Sequence, residues 1–498
     1  MRIKIATLAG LKRSLNNGEK GIPGESVMKM FVAGNWIDKP QQIEVRNPFD
    51  GSVVDTVPKA DTADVDRALA AALEGARLMR ALPGYERFRI LRATAQLMHG
   101  QSGQLARTIS LEEGKPIRES RVEVARAIET MELSAEEAKR IGGEVLPMDG
   151  ASNGARKLAF TLRVPCGVVV AITPFNFPLN LPCHKVGPAL AAGNAIVLKP
   201  ASDTPLVALR LVEILLEAGL PPQVVSCLTG GGESLGEALC TDSRVRKISF
   251  TGSREIGEKI IKLAGLKRVT MELGSNCPLI VMDDSDLDHV AQGISVSGYS
   301  NAGQTCISTQ RVLVMRRVYG DLIDMLQPRV DALKYGNPLN ETTNLGPMIR
   351  ERDAARINQW IDEAVRDGAR LVTGGRYDGT HHEATIVADV KSNMRISCQE
   401  LFGPAVAVTA CDNFAEAIRL ANDTNYGLSA AIFTRDLDRA MQFCREVDCG
   451  NLHVNGGPQW RADLMPYGGL KESGLGKEGP RYAIQEMTET KTVVLHGV

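Results

Sequence analysis

The chain has 498 residues, with 58 lysines and arginines against 59 aspartates and glutamates and a formal charge of −1. That balance leaves no electrostatic footprint for nucleic acid, and no apolar run reaches the roughly 18 residues that a membrane span needs. A soluble protein without nucleic-acid or membrane partners is expected. The pattern from residue 44 to 57 is strand-like, with a turn at Asn47-Pro48-Phe49-Asp50-Gly51. Asp61-Thr62-Ala63-Asp64 is a cap signal for a helix running to residue 80, and further helices are predicted over 85–99, 103–113 and 119–141. Residues 157–164 alternate like a strand. From Gly167 the chain alternates short apolar strands (168–172, 195–199, 224–228, 247–250) with helices (181–192, 205–218, 233–240, 256–264). This is a βαβ succession, hence a parallel sheet under helical cover. A second α/β stretch follows to residue 475, and the length predicts about three units.

Ten cysteines without a Cys-x-x-Cys pair point to a reducing cytoplasm rather than to a disulfide framework or a zinc site. His381-His382-Glu383 has no partner cluster and reads as a solvated loop, so no metal is expected.

Three short stretches carry chemistry. Asn301-Ala302-Gly303-Gln304-Thr305-Cys306-Ile307-Ser308 places a thiol just before the apolar strand 311–314, and Gly303 would let the backbone pass close to a ligand. Taken alone, this cysteine is as readily a small buried hydrophobe as a nucleophile. Thr270-Met271-Glu272-Leu273-Gly274 offers a carboxylate, and Ile172-Thr173-Pro174-Phe175-Asn176-Phe177-Pro178 a side-chain amide. Thiol, carboxylate and amide are the parts needed for acyl chemistry through a covalent intermediate. No clean Gly-x-Gly-x-x-Gly or P-loop is present; Thr229-Gly230-Gly231-Gly232 only approximates the first. Phe250-Thr251-Gly252-Ser253 runs off a strand into a helix whose free N–H groups suit a pyrophosphate, although Gly-Ser also simply caps helices. Lys199 ends a parallel strand where ligands bind in such sheets, or snorkels to solvent.

These stretches, with Gln399-Glu400-Leu401-Phe402-Gly403-Pro404, Asn422-Asp423-Thr424-Asn425-Tyr426-Gly427-Leu428 and the glycine-dense segment 466–474, resemble the signatures of the aldehyde dehydrogenase superfamily, in its order, from Phe31 to Val498. The resemblance implies an α/β, aldehyde dehydrogenase-like fold: a Rossmann-type cofactor domain (29–148 and 166–273), an α/β catalytic domain (274–478) and a small β oligomerisation arm (149–165 and 479–498). A homodimer or homotetramer would follow. Residues 1–28 stand before the point where the family's chains commonly open and read as an extension. The implied reaction is NAD(P)-dependent oxidation of an aldehyde to its acid through a thioacyl intermediate on Cys306. Asn176 and the Cys306 backbone N–H would hold the oxyanion, Glu272 would activate water, and Lys185 would support them unless it is a helix-surface charge.

The same resemblance assigns Thr173, Pro174, Phe175, Lys199, Ser202, Gly252, Ser253, Leu273, Glu400 and Phe402 to the cofactor. Ser202 stands where many NAD-linked members carry a glutamate, which leans the cofactor toward NADP, with NAD or dual use open. Phe177, His184, Thr305, Ile307, Trp460, Arg461 and Tyr467 match the substrate channel. His184 replaces a common tryptophan, so the pocket reads as polar. Arg461 either anchors an anion at the far end of a short aldehyde or bonds Asp463 or its own loop. The pattern is similar to the lactaldehyde, semialdehyde and phosphonoacetaldehyde dehydrogenase branches. Two alternatives stay open: a CoA-acylating enzyme, against which Glu272 weighs, and a non-catalytic paralogue, against which the intact Cys306, Asn176 and Glu272 weigh.

Overall fold

The computed structural model describes residues 28–497; the extension expected over 1–28 lies, Met28 apart, outside the described residues. Near-continuous Val/Ile/Leu runs make strands that are covered on both faces. They build an eight-stranded sheet in the order Asn35–Ile37, Met30–Val32, Val225–Cys227, Ala195–Lys199, Val168–Ile172, Val245–Thr251, Arg268–Glu272, Gly474–Leu475. The interior from Val225–Cys227 to Arg268–Glu272 is parallel. Met30–Val32 and Gly474–Leu475 close the two sides as antiparallel additions. The chain winds outward from Val168–Ile172 in one direction, then returns to its other side with Val245–Thr251. The strand order therefore reverses between these two strands, and the crevice beyond their carboxyl ends is where such sheets bind ligands.

Helix Thr62–Ala81 begins where its cap signal predicts. Asp61 accepts from the Ala63 and Asp64 amides, and the Asp64 side chain reaches back to the Asp61 N–H, a reciprocal capping box. Helix Asn180–Ala192 is different, because all of its residues are buried. A helix apolar or small all round belongs to an interior, and any charge it carries needs a partner there.

The second sheet has seven strands in the order Arg370–Thr373, Thr385–Ala388, Ala405–Cys411, Arg311–Met315, Pro278–Val281, Ser429–Phe433, Asn451–Val454. Its central strand, Arg311–Met315, is entered from the Cys306 loop. A third, antiparallel sheet stands apart. Thr488–His496 pairs residue for residue with Lys157–Pro165, and Val145–Leu146 adds a third strand. Leu158, Leu162, Val494 and Leu495 on this sheet are exposed. Among the described residues no helix is long and apolar enough to cross a membrane.

Helix Thr62–Ala81 packs its Gly75 against the loop before Val225–Cys227. A Cβ there would lie 2.4 Å from the Gln223 carbonyl oxygen and 2.7 Å from Val224 Cα. Alanine normally gains about 0.8–1 kcal/mol over glycine inside a helix, but here the backbone must move apart. Gly75→Ala should therefore destabilise the protein by about 1–3 kcal/mol, seen as a lower denaturant midpoint at unchanged slope. A raised midpoint would show that the helix can lift off the Gln223 carbonyl at no cost.

Candidate active site

Two cavities meet at the end of the first sheet. One, about 470 Å³, is lined by Phe177, Thr305, Ile307, Arg461 and Tyr467 among others. The other, about 620 Å³, runs over Pro174, Phe175, Gly252, Ser253, Leu273, Glu400 and Phe402. Leu181, Thr251, Glu272 and Cys306 line both.

The thiol loop is held by its backbone. Asn301 and Ala302 adopt left-handed conformations (φ +51° and +52°) and Gly303 follows at φ +69°; each non-glycine residue there costs about 1–2 kcal/mol. A Cβ on Gly303 would lie 2.0 Å from the Gly403 carbonyl oxygen. The close approach that requires glycine is thus to the Glu400–Pro404 segment, and not to a ligand as the sequence predicts. Asn176 Nδ2 donates to the Gln304 carbonyl at 2.8 Å, which fixes the amide beside the thiol loop and leaves its second N–H.

Cys306 Sγ lies 3.2 Å from Tyr467 Oη. Burial pushes the thiol up to about 12, against the opposing pull of the Tyr467 hydroxyl. Glu272 ends strand Arg268–Glu272, and neither of its carboxylate oxygens has a hydrogen-bond partner among the described residues. Gly468 (φ +159°) closes over it; a Cβ there would sit 2.8 Å from Glu272 Oε1. Burial first, and the neighbouring Glu478 charge second, hold the Glu272 carboxyl well above the usual carboxylate range.

Behind these groups runs a buried ionic chain. Lys185 is fully buried, which overturns its reading as a surface charge; its Nζ donates to Glu478 Oε1 at 2.9 Å and Ser249 Oγ at 3.2 Å. Arg461 Nη2 donates to Glu478 Oε2 at 3.2 Å, and its guanidinium stacks 3.7 Å from the centre of the Tyr467 ring. Burial opposes ionisation of Glu478, but the Lys185 and Arg461 charges outweigh it and hold its carboxyl well below the ordinary range. His184 is depressed by burial and then by Arg461. Nε2 lies 2.8 Å from Asp463 Oδ1, and Arg461 Nη2 lies 3.1 Å from Nε2 and 3.3 Å from Nδ1; the neutral tautomer with its proton on Nε2 donates to Asp463 and leaves Nδ1 to accept from Arg461. Arg126 completes the chain, donating through Nε and Nη2 to Asp463 at 3.0 and 2.8 Å.

Among the residues predicted for substrate, His184 is buried behind Arg461, off the cavity wall. Trp460, 64% exposed, also lies outside it. Among those predicted for cofactor, Thr173 is buried at the strand end, and Lys199 and Ser202 sit past the groove residues on the neighbouring strand and its loop. Sequence reasoning missed Glu478, Arg126 and the pair Arg356 and Trp360, which line the groove with the guanidinium 5.0 Å over the indole. Only Glu478 left a cue, as a lone carboxylate between glycines in Gly476-Lys477-Glu478-Gly479-Pro480.

A ligand crevice at the strand reversal, joined to a second cavity at a thiol, is the arrangement of a dehydrogenase that works on a small molecule. The structure superposes on aldehyde dehydrogenase 21 of Physcomitrella patens, solved with the reaction product succinate, at a TM-score of 0.93 and 39% identity, covering 95% of this chain and 99% of that one. The chain belongs to the aldehyde dehydrogenase family, whose profile matches residues 36–493, and it is an NAD(P)-dependent enzyme of that family. It is 45% identical over 467 residues to the 3-sulfolactaldehyde dehydrogenase of Priestia aryabhattai, covering 94% of this chain and 98% of the relative. It also superposes on the glyceraldehyde-3-phosphate dehydrogenase GapN of Methanocaldococcus jannaschii DSM 2661 complexed with NADP, at a TM-score of 0.89 and 36% identity, covering 92% of this chain and 100% of that one.

The groove fits a nicotinamide dinucleotide. Helix Arg254–Ala264 opens directly after Gly252-Ser253 with no side chain capping its first N–H groups, a ready site for phosphate oxygens. The buried hydroxyls of Thr173 and Thr251 lack partners among the described residues. Glu400 accepts from the Ser275 amide at 3.0 Å, with the space beside it left by Gly274, where a Cβ would lie 2.3 Å from Glu400 Oε2.

The elevated thiol makes a direct prediction. In the cofactor-free enzyme, alkylation of Cys306 by iodoacetamide should be slow at neutral pH and rise about tenfold per pH unit through pH 10, because only the thiolate reacts. Peptide mapping separates Cys306 from the exposed Cys398 and Cys444. A plateau between pH 8 and 9, about where an ordinary cysteine titrates, would remove the claim.

Proposed function

We propose that this enzyme oxidises a short aldehyde with an anionic group at its far end to the corresponding acid, through a thioacyl intermediate on Cys306. The observation that carries the substrate class is the pair of arginines, Arg126 and Arg461, on the wall of the thiol cavity. Arg461 stacks on the ring of Tyr467, whose hydroxyl touches the thiol, a short span that suits a short molecule. Arg461 Nε is itself buried, so Arg461 contributes its charge to the wall, while Arg126 is partly exposed and spends only Nε and Nη2 on Asp463. Arg126 Nη1 therefore remains as a donor for a carboxylate or sulfonate. The names of the relatives support the same class, since succinate carries a second carboxylate and 3-sulfolactaldehyde a sulfonate.

In this reading the Cys306 thiol releases its proton to solvent as the sulfur adds to the aldehyde carbon, and the oxyanion takes the free N–H of Asn176 and the backbone N–H of Cys306. A nicotinamide held in the groove over Gly252, Ser253 and Glu400 would supply the acceptor for the hydride of the aldehyde carbon. Glu272, in its ionised form, takes a proton from water as that water attacks the thioacyl carbon, and the acid leaves with the thiol restored. Lys185 and Arg461 keep the negative charge on Glu478, so that Glu272 is the stronger base of the two carboxylates.

The cofactor reading leans toward NADP. Ser202 brings no carboxylate to the ribose side, and the adjacent Asp203 is neutralised by Arg350, whose Nε donates to Asp203 Oδ1 at 3.1 Å. The first sheet, apart from its edge strand Gly474–Leu475, supports residues 29–148 and 166–273 as the cofactor unit, and the second supports 274–478 as the catalytic unit. The exposed apolar side chains of the three-stranded sheet support an oligomerisation arm of a dimer or tetramer, and ten unpaired cysteines support a reducing compartment such as the cytoplasm.

Glu272→Gln should keep a burst of reduced cofactor while slowing steady turnover. In the wild type the steady rate should rise with pH, because the elevated carboxyl must lose its proton before it can accept one from water; the variant should lack that limb. Loss of burst and steady rate together would give Glu272 another role, and turnover restored only by added CoA would make this a CoA-acylating enzyme. Arg461→Ala should lower kcat/KM for an anionic short aldehyde at least about tenfold, or ~1.4 kcal/mol, more than for its neutral isostere. Equal losses for the two substrates would leave Arg461 a purely structural partner of Glu478 and Tyr467.

A further inference from the structure

A third segment joins the two loops that carry Asn176 and Cys306. Helix Ser102–Glu113 ends at Gly114, and helix Ile117–Ala138 starts after Pro116. Lys115, in the turn between them, is 1% exposed. Its Nζ donates to Glu123 Oε2 and, at 2.6 Å, to the backbone carbonyl of Asn176, and it lies 4.1 Å from the centre of the Phe177 ring. Glu123 Oε1 in turn accepts from the amides of Leu179 (2.9 Å) and Asn180 (3.2 Å), at the start of helix Asn180–Ala192. One lysine–glutamate pair thus grips the Asn176 turn at both ends.

The same segment grips the thiol loop. Glu119 Oε2 accepts from the Asn301 amide at 2.7 Å, and Glu113 Oε1 from Asn301 Nδ2 at 2.8 Å. Asn301 Nδ2 also reaches the Asn176 carbonyl at 3.3 Å. These bonds fall on the left-handed residue that opens the Cys306 loop, a conformation that persists only where its surroundings enforce it. Burial pushes Glu113 up to about 8 and raises Glu119. Burial also works against the Lys115 ammonium, but the Glu123 and Glu113 carboxylates outweigh it and raise its pKa. A charged Lys115 at this junction is therefore stable.

We infer that Lys115, braced by Glu123, is a positioning residue for thioester formation. By holding the Asn176 carbonyl it fixes where the Asn176 side-chain amide stands relative to Cys306. An ammonium has three N–H groups; Glu123 and the Asn176 carbonyl use two, so the geometry assigns Lys115 to the turn rather than to the substrate, although it borders the cavity. This inference rests on the reading that the Asn176 amide takes the oxyanion.

The test is a double-mutant cycle on the pre-steady-state rate of reduced-cofactor formation, with enzyme saturated in cofactor and a short aldehyde. Lys115→Met should slow that step roughly 10–100-fold, the scale of misplacing a reacting group by about an ångström, with cofactor affinity, read by fluorescence titration, and aldehyde KM each changed by less than about twofold. In an Asn176→Ala background the same substitution should change the rate less than about twofold, because the donor it positions is gone. Losses that multiply would overturn the inference, as would a large rise in KM, which would make Lys115 a substrate contact. If Asn176→Ala itself leaves the step unchanged, the oxyanion reading fails, a result distinct from multiplying losses. Should Lys115→Met not fold, Glu123→Gln keeps the side-chain shape, removes the brace and enters the same cycle. It should give a loss of roughly tenfold that vanishes without Asn176, and an unchanged rate in Glu123→Gln would overturn the proposal.

Discussion

Glu478 lies between two buried cations, Lys185 from helix Asn180–Ala192 and Arg461 from the loop after Asn451–Val454. Burying either cation alone would be prohibitive, and their shared carboxylate makes both tolerable. Arg461, once held there, stacks on the tyrosine whose hydroxyl touches the thiol, and it discourages protonation of His184. The negative charge on Glu478 also disfavours a second one close by, which adds to the reluctance of Glu272 to ionise. Burial is the first cause of the shifts at Cys306, Glu272 and His184, and Glu478 adds to it at Glu272 from a place that is not itself at the thiol.

That side chain belongs to the part of the centre that was not legible in the sequence. The strands were readable because a sheet covered on both faces needs unbroken apolar runs, and helix Thr62–Ala81 because Asp61 and Asp64 cap it within four residues. Asn176, Glu272 and Cys306 were readable because each lies in a short motif at a strand end or entry. Glu478 and Lys185 are 293 residues apart, and no local pattern announces their meeting. Lys185 shows the same limit from the other side: on a helix buried all round, solvent-face arguments have no face to apply to. For Arg461 the alternatives were an anion or its own loop, whereas its nearest carboxylate, Glu478, comes from beyond that loop, with Asp463 only 3.9 Å away. Side-chain direction explains Trp460, which shares a loop with Arg461 yet turns to solvent.

The two sheets divide the labour by which ends of their strands face the centre. The first presents carboxyl ends, where Ile172, Thr251 and Glu272 open into a groove for a dinucleotide. The second presents the entry to Arg311–Met315, where a loop can be forced into an unfavourable backbone and still be anchored by a buried strand. Segment 113–123 touches both ends at once, so the relative position of amide and thiol depends on neither sheet alone.

The buried setting of the thiol has a consequence for the life of the chain before it is folded. The contacts that enclose Cys306 close loops of more than a hundred residues, such as Asn176–Gln304 at 128 and Cys306–Tyr467 at 161, and contacts of that kind form late. In an unfolded chain a cysteine with a pKa of about 8.5 is a few per cent thiolate at neutral pH, whereas a thiol raised to about 12 is ionised only to roughly one part in 10⁵. Peroxides attack the thiolate. The same enclosure therefore shelters the Cys306 sulfur from oxidation, and that sulfur is most at risk in the interval between synthesis and closure of the fold.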